Sequence, residues 1–235
     1  MEIIVDLCNQ HYGDVQEIKR MILSSFVSGA DVIKIQIMDS TKFFGDNSRK
    51  YRDLSFDQTK EVCLFCESLG IEFMASVFDE EKLEWIQELG VKRHKIPSKM
   101  AFHNHSLCNK ILKDNKETII STGLNKPGEF PFGFDSNIKY CFCVPKYPTF
   151  LYDEALKKMP KKFSIEGYYG YSDHTIGIAA PLEAHLRGAK ILEKHFTNNM
   201  MAQNIYESAH LCSFDAESLK RFRKLTKELD ILRSQ

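Results

Sequence analysis

Two histidines end two short apolar segments of this 235-residue chain, and one helix length of sequence separates them. His174 closes Gly-Tyr-Ser-Asp-His and His195 closes Ile-Leu-Glu-Lys-His. If both segments are neighbouring parallel strands, the two imidazoles lie at one edge of the sheet and can converge. Two imidazoles with open positions suit a divalent ion such as Mn²⁺, Fe²⁺, Co²⁺ or Zn²⁺, which would polarise a substrate carbonyl. Glu193 and Asp173 are available as outer partners, and hydrogen-bonded structural histidines are the alternative.

Lysines within apolar runs form a second group of candidates. Lys34 lies in Val-Ile-Lys-Ile-Gln and Lys95 in His-Lys-Ile-Pro, so each must extend to solvent or find an anion. Hydroxyl groups end several other segments, at Ser76, Ser98, Ser121, Tyr147 and Ser172. Lysines with hydroxyls nearby suggest a phosphate or carboxylate site, although any one serine is explained by a turn or a helix cap. Gln36 shares the strand face of Lys34 and can hydrogen-bond a neutral hydroxyl of the same ligand.

The elements that must position these residues alternate along the chain. Strands are predicted at residues 2–9, 32–37, 72–78, 93–97, 118–121, 138–144, 168–172 and 190–195. Helices are predicted at 14–29, from a capping box at Ser55 and Gln58, and at 79–89, 106–113, 151–158, 178–187 and 215–233. Eight such units predict one domain over residues 1–235, an α/β fold of the (β/α)8 TIM-barrel type. An open doubly wound sheet is less favoured, because no GxGxxG follows the first strand.

One unit of the repeat is irregular. Between Gly123 and Ile138 the sequence carries two prolines and two further glycines, which do not suit a regular helix. The fifth helix is therefore predicted to be missing or reduced to a turn.

Composition limits the class of protein. Lysines plus arginines number 32 and aspartates plus glutamates 32, so no general affinity for nucleic acid or anionic membrane is expected. Seven cysteines, an odd number, lie mostly in apolar segments, which favours a reducing, cytoplasmic location. Cys63 and Cys66 form a CxxC in a helical pattern, where packing is the favoured interpretation. Neither a signal peptide nor a membrane span is predicted.

The other histidines are weaker candidates. His103 and His105 are predicted to lie in a surface loop, whereas His94 and His185 suggest packing or helix-surface positions. His11 ends the first predicted strand and therefore belongs to the same rim of the barrel as His174.

From about Asp6 to Leu219 the chain resembles the catalytic barrel of the sialic acid synthase family, whose members condense phosphoenolpyruvate with amino sugars. Gly170-Tyr-Ser-Asp-His-Thr-Ile-Gly177 and Glu193-Lys-His-Phe-Thr197 carry the resemblance most specifically. Weaker support comes from residues 10–13, 32–36, 73–79, 95–98, 121–123 and 147–148.

The resemblance implies a role for each candidate. His174 and His195 would hold the divalent metal, for which Mn²⁺ is predicted, with Mg²⁺ or Co²⁺ as alternatives. Phosphoenolpyruvate would be surrounded by Lys34, Ser76, Lys95, Ser98, Ser121 and Ser172. Gln36 and Tyr147 would face the sugar, and Glu193 would lie beside the metal.

In the implied reaction, C3 of phosphoenolpyruvate attacks the aldehyde of an open-chain N-acylated hexosamine or related aldose. Water then adds at C2 and phosphate leaves, which produces a nonulosonic acid or a similar 3-deoxy-2-ketoacid sugar.

Departures from the family pattern fall on the sugar side of the predicted site. Met100 stands where members commonly carry a glutamate, Pro145 replaces a polar residue, and Tyr12 replaces an asparagine or glutamate. The acidic residue expected after the last strand aligns only near Glu207 to Ala209. The metal and phosphoenolpyruvate side is nearly intact, so an acceptor other than N-acetylmannosamine is expected.

The antifreeze-like C-terminal domain that covers the partner's site in this family is expected to be absent. A separate lid-supplying protein or a homodimer is then a candidate partner, and the aromatic, basic segment 42–52 could partly cover the site. Phosphate binding by Arg49 or Arg52 is a hypothesis. Two alternatives to the synthase stay open: a non-catalytic or partner-dependent sugar- or phosphate-binding barrel, and a metal-dependent aldolase or epimerase.

Overall fold

The computed structural model describes residues 1–234 and contains a single sheet of eight parallel strands. The strands are β1 (Glu2–Cys8), β2 (Val32–Ile37), β3 (Glu72–Val77), β4 (His94–Ile96), β5 (Thr118–Ser121), β6 (Ile138–Cys143), β7 (Tyr168–Asp173) and β8 (Ile191–His195). They follow the spatial order β3-β2-β1-β8-β7-β6-β5-β4, a nearly closed barrel. The predicted TIM-barrel fold is confirmed.

Helices surround the barrel. They are α1 (Val15–Val27), α2 (Ser40–Phe44), α3 (Phe56–Ser68), α4 (Glu80–Glu88), α5 (Ser98–His103), α6 (His105–Leu112), α7 (Ala179–Leu186) and α8 (Ala216–Arg233). Short 3-10 turns occur at Lys50–Arg52, Leu156–Lys158, Met200–Ala202 and His210–Cys212. The predicted capping box at Ser55 and Gln58 is confirmed, and Asp14 caps α1 by accepting from the backbone of Gln16 and Glu17. Within residues 1–234, no helix is both long and apolar enough to cross a bilayer.

One predicted helix and one predicted loop need correction. Residues 151–158 form turns and only a short 3-10 helix, because the Asp153 carboxylate accepts from the backbone N–H of Phe150 at 2.8 Å and favours a local turn. The predicted loop containing His103 and His105 is helical instead. Asn104 separates α5 from α6 and caps α6 by accepting from Leu107 N at 3.0 Å. The fifth helix is absent between residues 122 and 137, as predicted.

The strand alternation builds the barrel interior in layers. Ile4, Val32, Met74, Ile119, Cys141 and Ile191 form a buried apolar cluster at the lower end. Two residues further along their strands come Asp6, Lys34, Ser76, Ser121, Cys143 and Glu193, because side chains repeat with a period of two. The apolar cluster therefore seals the barrel below, and polar groups gather at the carboxyl ends of the strands.

Strand β7 passes close to its neighbours at Gly170. A Cβ at this position would lie 2.8 Å from both Cβ and the carbonyl oxygen of Ile191, and 2.9 Å from Sγ of Cys141. Only glycine lets β7 approach β8 and β6 this closely.

A basic side chain ties the strands that border the seam of the barrel. Arg93, directly before β4, donates to Glu2 of β1 at 2.8 Å and to Glu72 of β3 at 2.8 Å. It also reaches Glu117, directly before β5, at 3.1 Å. Arg93 and Glu72 therefore connect β4 and β3, the two edge strands of the sheet, at the amino-terminal end of the barrel.

Candidate active site

A cavity of about 420 Å³ opens at the carboxyl ends of the strands. Its walls include most of the predicted site residues: Lys34, Gln36, Lys95, Ser98, Ser121, Tyr147, Ser172, His174, Glu193 and His195. Ser76 does not line it. Barrel topology thus brings these ten residues, which come from six strands or the segments that follow them, into one concave surface.

The floor of the cavity is a network of buried charges centred on Glu193. One carboxylate oxygen of Glu193 lies 3.1 Å from Lys34 Nζ, and the other lies 3.3 Å from Lys95 Nζ. Lys34 also contacts Asp6 at 2.7 Å, and Lys95 donates to Ser121 Oγ at 2.9 Å. The anions that these buried lysines require are therefore supplied in part by the protein itself.

The network fixes the charge state of its members. Burial opposes the charged form of Lys34, but the carboxylates of Asp6 and Glu193 outweigh it and raise the lysine pKa. Burial likewise opposes ionisation of Glu193, but Lys34 and Lys95 outweigh it and lower the carboxyl pKa. Lys34 is therefore held as a cation, and the contacts of both lysines with Glu193 leave them little freedom to reorient, which makes a preorganised anion site.

Hydroxyl groups surround the lysines at different depths. Ser172 donates to the Glu193 carboxylate at 2.6 Å, and Ser98 Oγ accepts from Gly123 N at 3.0 Å. Ser76 lies 3.4 Å from Lys34 Nζ and is fully buried behind it. The structure therefore places Ser76 where it supports the lysine, away from the cavity wall.

The two histidines converge. Their rings are stacked with centroids 5.4 Å apart and planes inclined by 16°. His174 Nδ1 lies 2.7 Å from the Val144 carbonyl oxygen, so Nδ1 carries the proton and Nε2 keeps a lone pair. Neither ring nitrogen of His195 has a hydrogen-bond partner, although the residue is buried. Burial lowers the pKa of His195 and favours its neutral form.

This donor set fits a divalent metal bound by two protein residues. Among residues 1–234, no cluster of three or more histidine, cysteine, aspartate or glutamate side chains is arranged to hold an ion. Two imidazoles that each offer a ring nitrogen satisfy what a borderline transition ion requires, and the other positions would be left to substrate and water.

The predicted sugar-facing residues border the histidine pair. The Tyr147 ring lies with its centroid 4.1 Å from that of His174 and 5.6 Å from that of His195. Gln36 donates to Asp6 Oδ2 at 3.1 Å. Tyr147 therefore lies directly against the histidine pair, and Gln36 is joined to His195 through Asp6.

Sequence reasoning did not single out Asp6. Its carboxylate joins the two halves of the site, because Oδ2 contacts Lys34 and Gln36 and also lies 3.4 Å from His195 Nδ1. The signal was present: Asp6 interrupts the apolar run Ile-Ile-Val-Asp-Leu at the register of Lys34 and His195. Its contacts across strands required the fold.

A second buried ion pair underlies the histidines. Lys194 Nζ contacts Asp173 at 2.5 Å and the Thr175 carbonyl oxygen at 2.6 Å. The other carboxylate oxygen of Asp173 accepts from the Tyr171 hydroxyl and the Thr175 backbone N–H. Asp173 and Lys194 thus hold the segment that carries His174, a structural task that the sequence pattern did not reveal.

The positions that depart from the family pattern do not lie together in the structure. Pro145 and Glu207 line the cavity, whereas Met100 is buried within α5 and Tyr12 stacks on the Tyr51 ring with centroids 6.0 Å apart, both outside the cavity wall. Glu207 accepts from Arg52 Nη1 at 3.0 Å and from the Tyr51 hydroxyl at 2.9 Å. Glu207 is thus the carboxylate that the loop after β8 contributes to the wall.

The other predicted candidates take structural places. His11, expected at the rim, is buried outside the cavity wall, with Nδ1 3.0 Å from Gly13 N and Nε2 3.1 Å from the Cys8 carbonyl oxygen. His94 contacts Asp114 at 2.9 Å and His185 contacts Asp230 at 3.0 Å, in agreement with packing roles.

The CxxC pair lies on α3. Cys63 and Cys66 are buried free thiols, and burial raises their pKa to about 11 and about 12. Both thiols are therefore protonated and inert at neutral pH, in agreement with the packing interpretation.

Comparisons with known proteins agree with this geometry. The model of the NeuB family matches residues 21–234. The chain is 31% identical to the N,N'-diacetyllegionaminic acid synthase of Legionella pneumophila, over 93% of this chain and 69% of that protein. It is 30% identical to the synthase of the same name from Campylobacter jejuni, over 93% and 73%. The solved N-acetylneuraminic acid (sialic acid) synthetase of Leptospira borgpetersenii superposes with a TM-score of 0.84 at 26% identity, covering 99% of this chain and 85% of that one.

Proposed function

This chain belongs to the NeuB family, and on that premise we propose that it condenses phosphoenolpyruvate with the aldehyde of an N-acylated hexosamine or a related aldose. The product would be a nonulosonic acid or a similar 3-deoxy-2-ketoacid sugar, with release of phosphate. The names of the relatives support a synthase of this class. The observation that carries the proposal is one cavity that joins two buried lysines to two imidazoles with free lone pairs.

The lysine side of the cavity would bind phosphoenolpyruvate. Lys34 and Lys95 are held in place by Glu193, and Ser98, Ser121 and Ser172 supply hydroxyl groups around them. A phosphate and a carboxylate on one small molecule need such charge-assisted hydrogen bonds to be neutralised and aligned. Ser76 would act indirectly, through its contact with Lys34.

The histidine side would receive the sugar aldehyde. His174 and His195 would hold a divalent ion, which we propose to be Mn²⁺; when bound, it would supply Lewis-acid polarisation of the aldehyde carbonyl. Gln36 and Tyr147 border the same point and would orient the open-chain sugar. Holding both reactants in one enclosed cavity turns a bimolecular encounter into an oriented step.

The bond changes follow from this arrangement. The π electrons of phosphoenolpyruvate form a bond from C3 to the aldehyde carbon, and the aldehyde oxygen becomes a hydroxyl by taking up a proton. Water adds to the cationic C2 and loses one proton, which balances the proton taken up by the aldehyde oxygen. The C2–O bond to phosphate then breaks, and phosphate leaves with the second proton of the added water as the ketone forms. Glu193 touches both lysines and Ser172, so it would keep the cationic groups in place while charge moves between reactants.

The test is release of inorganic phosphate from phosphoenolpyruvate in the presence of Mn²⁺ and a panel of N-acylated hexosamines and simpler aldoses. We expect release that requires one sugar and that disappears in His174→Ala. His185→Ala, which alters a helix histidine paired with Asp230, is the matched control and should retain activity. Absence of release across the panel with the fold intact would contradict the synthase and favour a non-catalytic barrel, whereas sugar cleavage without phosphoenolpyruvate would favour an aldolase.

A further inference from the structure

The floor and the mouth of the cavity differ in the balance of their charged side chains. At the floor, the strands contribute three carboxylates, Asp6, Asp173 and Glu193, and three ammonium groups, Lys34, Lys95 and Lys194. At the mouth, the segments that follow the strands contribute three cations, Arg49, Arg52 and Lys99, and one carboxylate, Glu207. The floor is therefore balanced, whereas the mouth carries two uncompensated positive charges.

The mouth cations are gathered by aromatic rings. Arg49 lies over the Phe44 ring at 4.2 Å from its centroid, and Arg52 lies over the same ring at 4.9 Å. Lys99, at the start of α5, lies 5.7 Å from that centroid and 4.4 Å from that of Phe43. Stacking on a ring restrains a cation without neutralising it, so these charges are held ready for an anion.

The mouth also contains an unpaired buried donor. Arg52 is only 5% exposed, and its Nη1 is used by Glu207, but its Nε has no hydrogen-bond partner. Among the described residues, Arg49 and Lys99 enter no ion pair. A buried guanidinium N–H without an acceptor is costly, and an anionic ligand would satisfy it.

We propose that this mouth cluster, defined as Arg49, Arg52 and Lys99 around Phe44, binds a phosphate monoester at the end of the sugar acceptor remote from the aldehyde. The inference rests on the proposed function. The aldehyde end would lie at the histidines, which are at the ends of β7 and β8, while the cluster comes from the segments that follow β2 and β4: α2, the turn after it and α5. A dianionic phosphate matches the two excess charges, and a guanidinium suits its oxygens.

The experiment compares N-acetylmannosamine with N-acetylmannosamine 6-phosphate, and N-acetylglucosamine with its 6-phosphate, in the full chain. We expect the phosphorylated acceptor to show the higher kcat/KM. Arg49→Gln and Lys99→Gln should each lower that preference by about 10- to 100-fold, the usual weight of a charge-assisted hydrogen bond. KM for phosphoenolpyruvate should stay unchanged. Lys50→Gln removes the same charge from an exposed neighbour outside the cavity wall and should leave the preference intact.

Three kinetic outcomes would overturn the inference while the proposed function stands. The neutral sugar could be used as well as its phosphate. The variants could change both acceptors equally. Alternatively, Arg49→Gln could raise KM for phosphoenolpyruvate, which would assign the cluster to the phosphate of that substrate.

A binding measurement separates the two proposals if no sugar is turned over. Calorimetric titration with N-acetylmannosamine 6-phosphate should show binding that weakens in Arg49→Gln and Lys99→Gln but not in Lys50→Gln. That result would support the anion site even where the synthase proposal has failed. Equal binding by all variants, or none by the unaltered chain, would reject it.

Discussion

Glu193 lies between two lysines, 3.1 Å from Lys34 Nζ and 3.3 Å from Lys95 Nζ. Its carboxylate therefore neutralises part of the lysine charge that would bind a phosphoenolpyruvate anion. The site is thus held together by an internal anion that the substrate must partly replace. This relationship separates binding from turnover in a way that substitutions can measure.

Glu193→Gln should therefore affect KM for phosphoenolpyruvate and kcat differently. Removing the carboxylate charge leaves both lysines free for the substrate, so KM for phosphoenolpyruvate should stay equal or fall. Turnover should drop by about 10²-fold or more, because charge no longer aligned at the reacting centre costs several kcal/mol. Steady-state phosphate release measures both constants. Lys95→Met provides the contrast: it should raise KM for phosphoenolpyruvate, and an equal rise in both variants would contradict the assignment.

Metal binding should depend on both imidazoles. His174→Ala and His195→Ala should each weaken Mn²⁺ affinity by about 10- to 100-fold or more. Residues 1–234 contain no cluster of three or more potential ligands to replace the pair, and the loss of even an outer partner has that effect. Electron paramagnetic resonance of free Mn²⁺ gives the affinity without reference to activity. His103→Ala, a surface position on α5, is the control. Unchanged Mn²⁺ binding in the double variant would place the metal elsewhere.

His11 should make stability depend on pH. Burial lowers the His11 pKa from 6.5 to about 4, and the neutral ring bridges Gly13 N and the Cys8 carbonyl oxygen. Between pH 6.5 and about 4, His11 therefore binds a proton in the unfolded chain but stays neutral in the folded one. The contribution is present above pH 6.5 and is lost as pH falls toward 4, by an amount on the order of 3 kcal/mol.

Urea unfolding at pH 7.5 and pH 5 measures the His11 effect. His11→Asn keeps an acceptor near Gly13 N but cannot titrate, so its loss of stability between the two pH values should be smaller than that of the unaltered chain. Other buried histidines titrate equally in both proteins, and the difference isolates His11. Equal losses would show that His11 carries no such linkage.

Gly170→Ala should destabilise the barrel at the approach of β7 to β8. The added methyl would meet Ile191 and Cys141 at less than 3 Å, and overpacking of this kind costs about 1–3 kcal/mol. Gly167→Ala, whose added Cβ has only Ser164 Oγ at 3.6 Å, is the matched control. Thermal unfolding should show a clear decrease for the first variant and little change for the second. Similar melting temperatures would contradict the close approach.

Periodicity in the sequence was sufficient to locate the strands and most of the helices. Apolar runs with a period of two or 3.6 are local patterns, so β2 was predicted with its observed bounds and α3 with its capping box at Ser55 and Gln58. The misplaced helix at residues 151–158 and the missed α5 were decided by single side chains, Asp153 and Asn104. Their hydrogen bonds compete locally with helical periodicity, which an average over a window does not register.

The sequence by itself determined which residue types stand at strand ends, and parallel strands oblige those ends to meet. That is why the sequence alone predicts Lys34, Lys95, His174 and His195 on one rim. Only the tertiary structure decided how they share charge. Asp6 reaches Lys34 and Gln36 on β2 and His195 on β8, Glu193 lies between both lysines, and Arg49 and Lys99 gather around Phe44 with no ion-pair partner among residues 1–234. Distances across strands depend on register and barrel closure, which are properties of the whole chain and not of any segment.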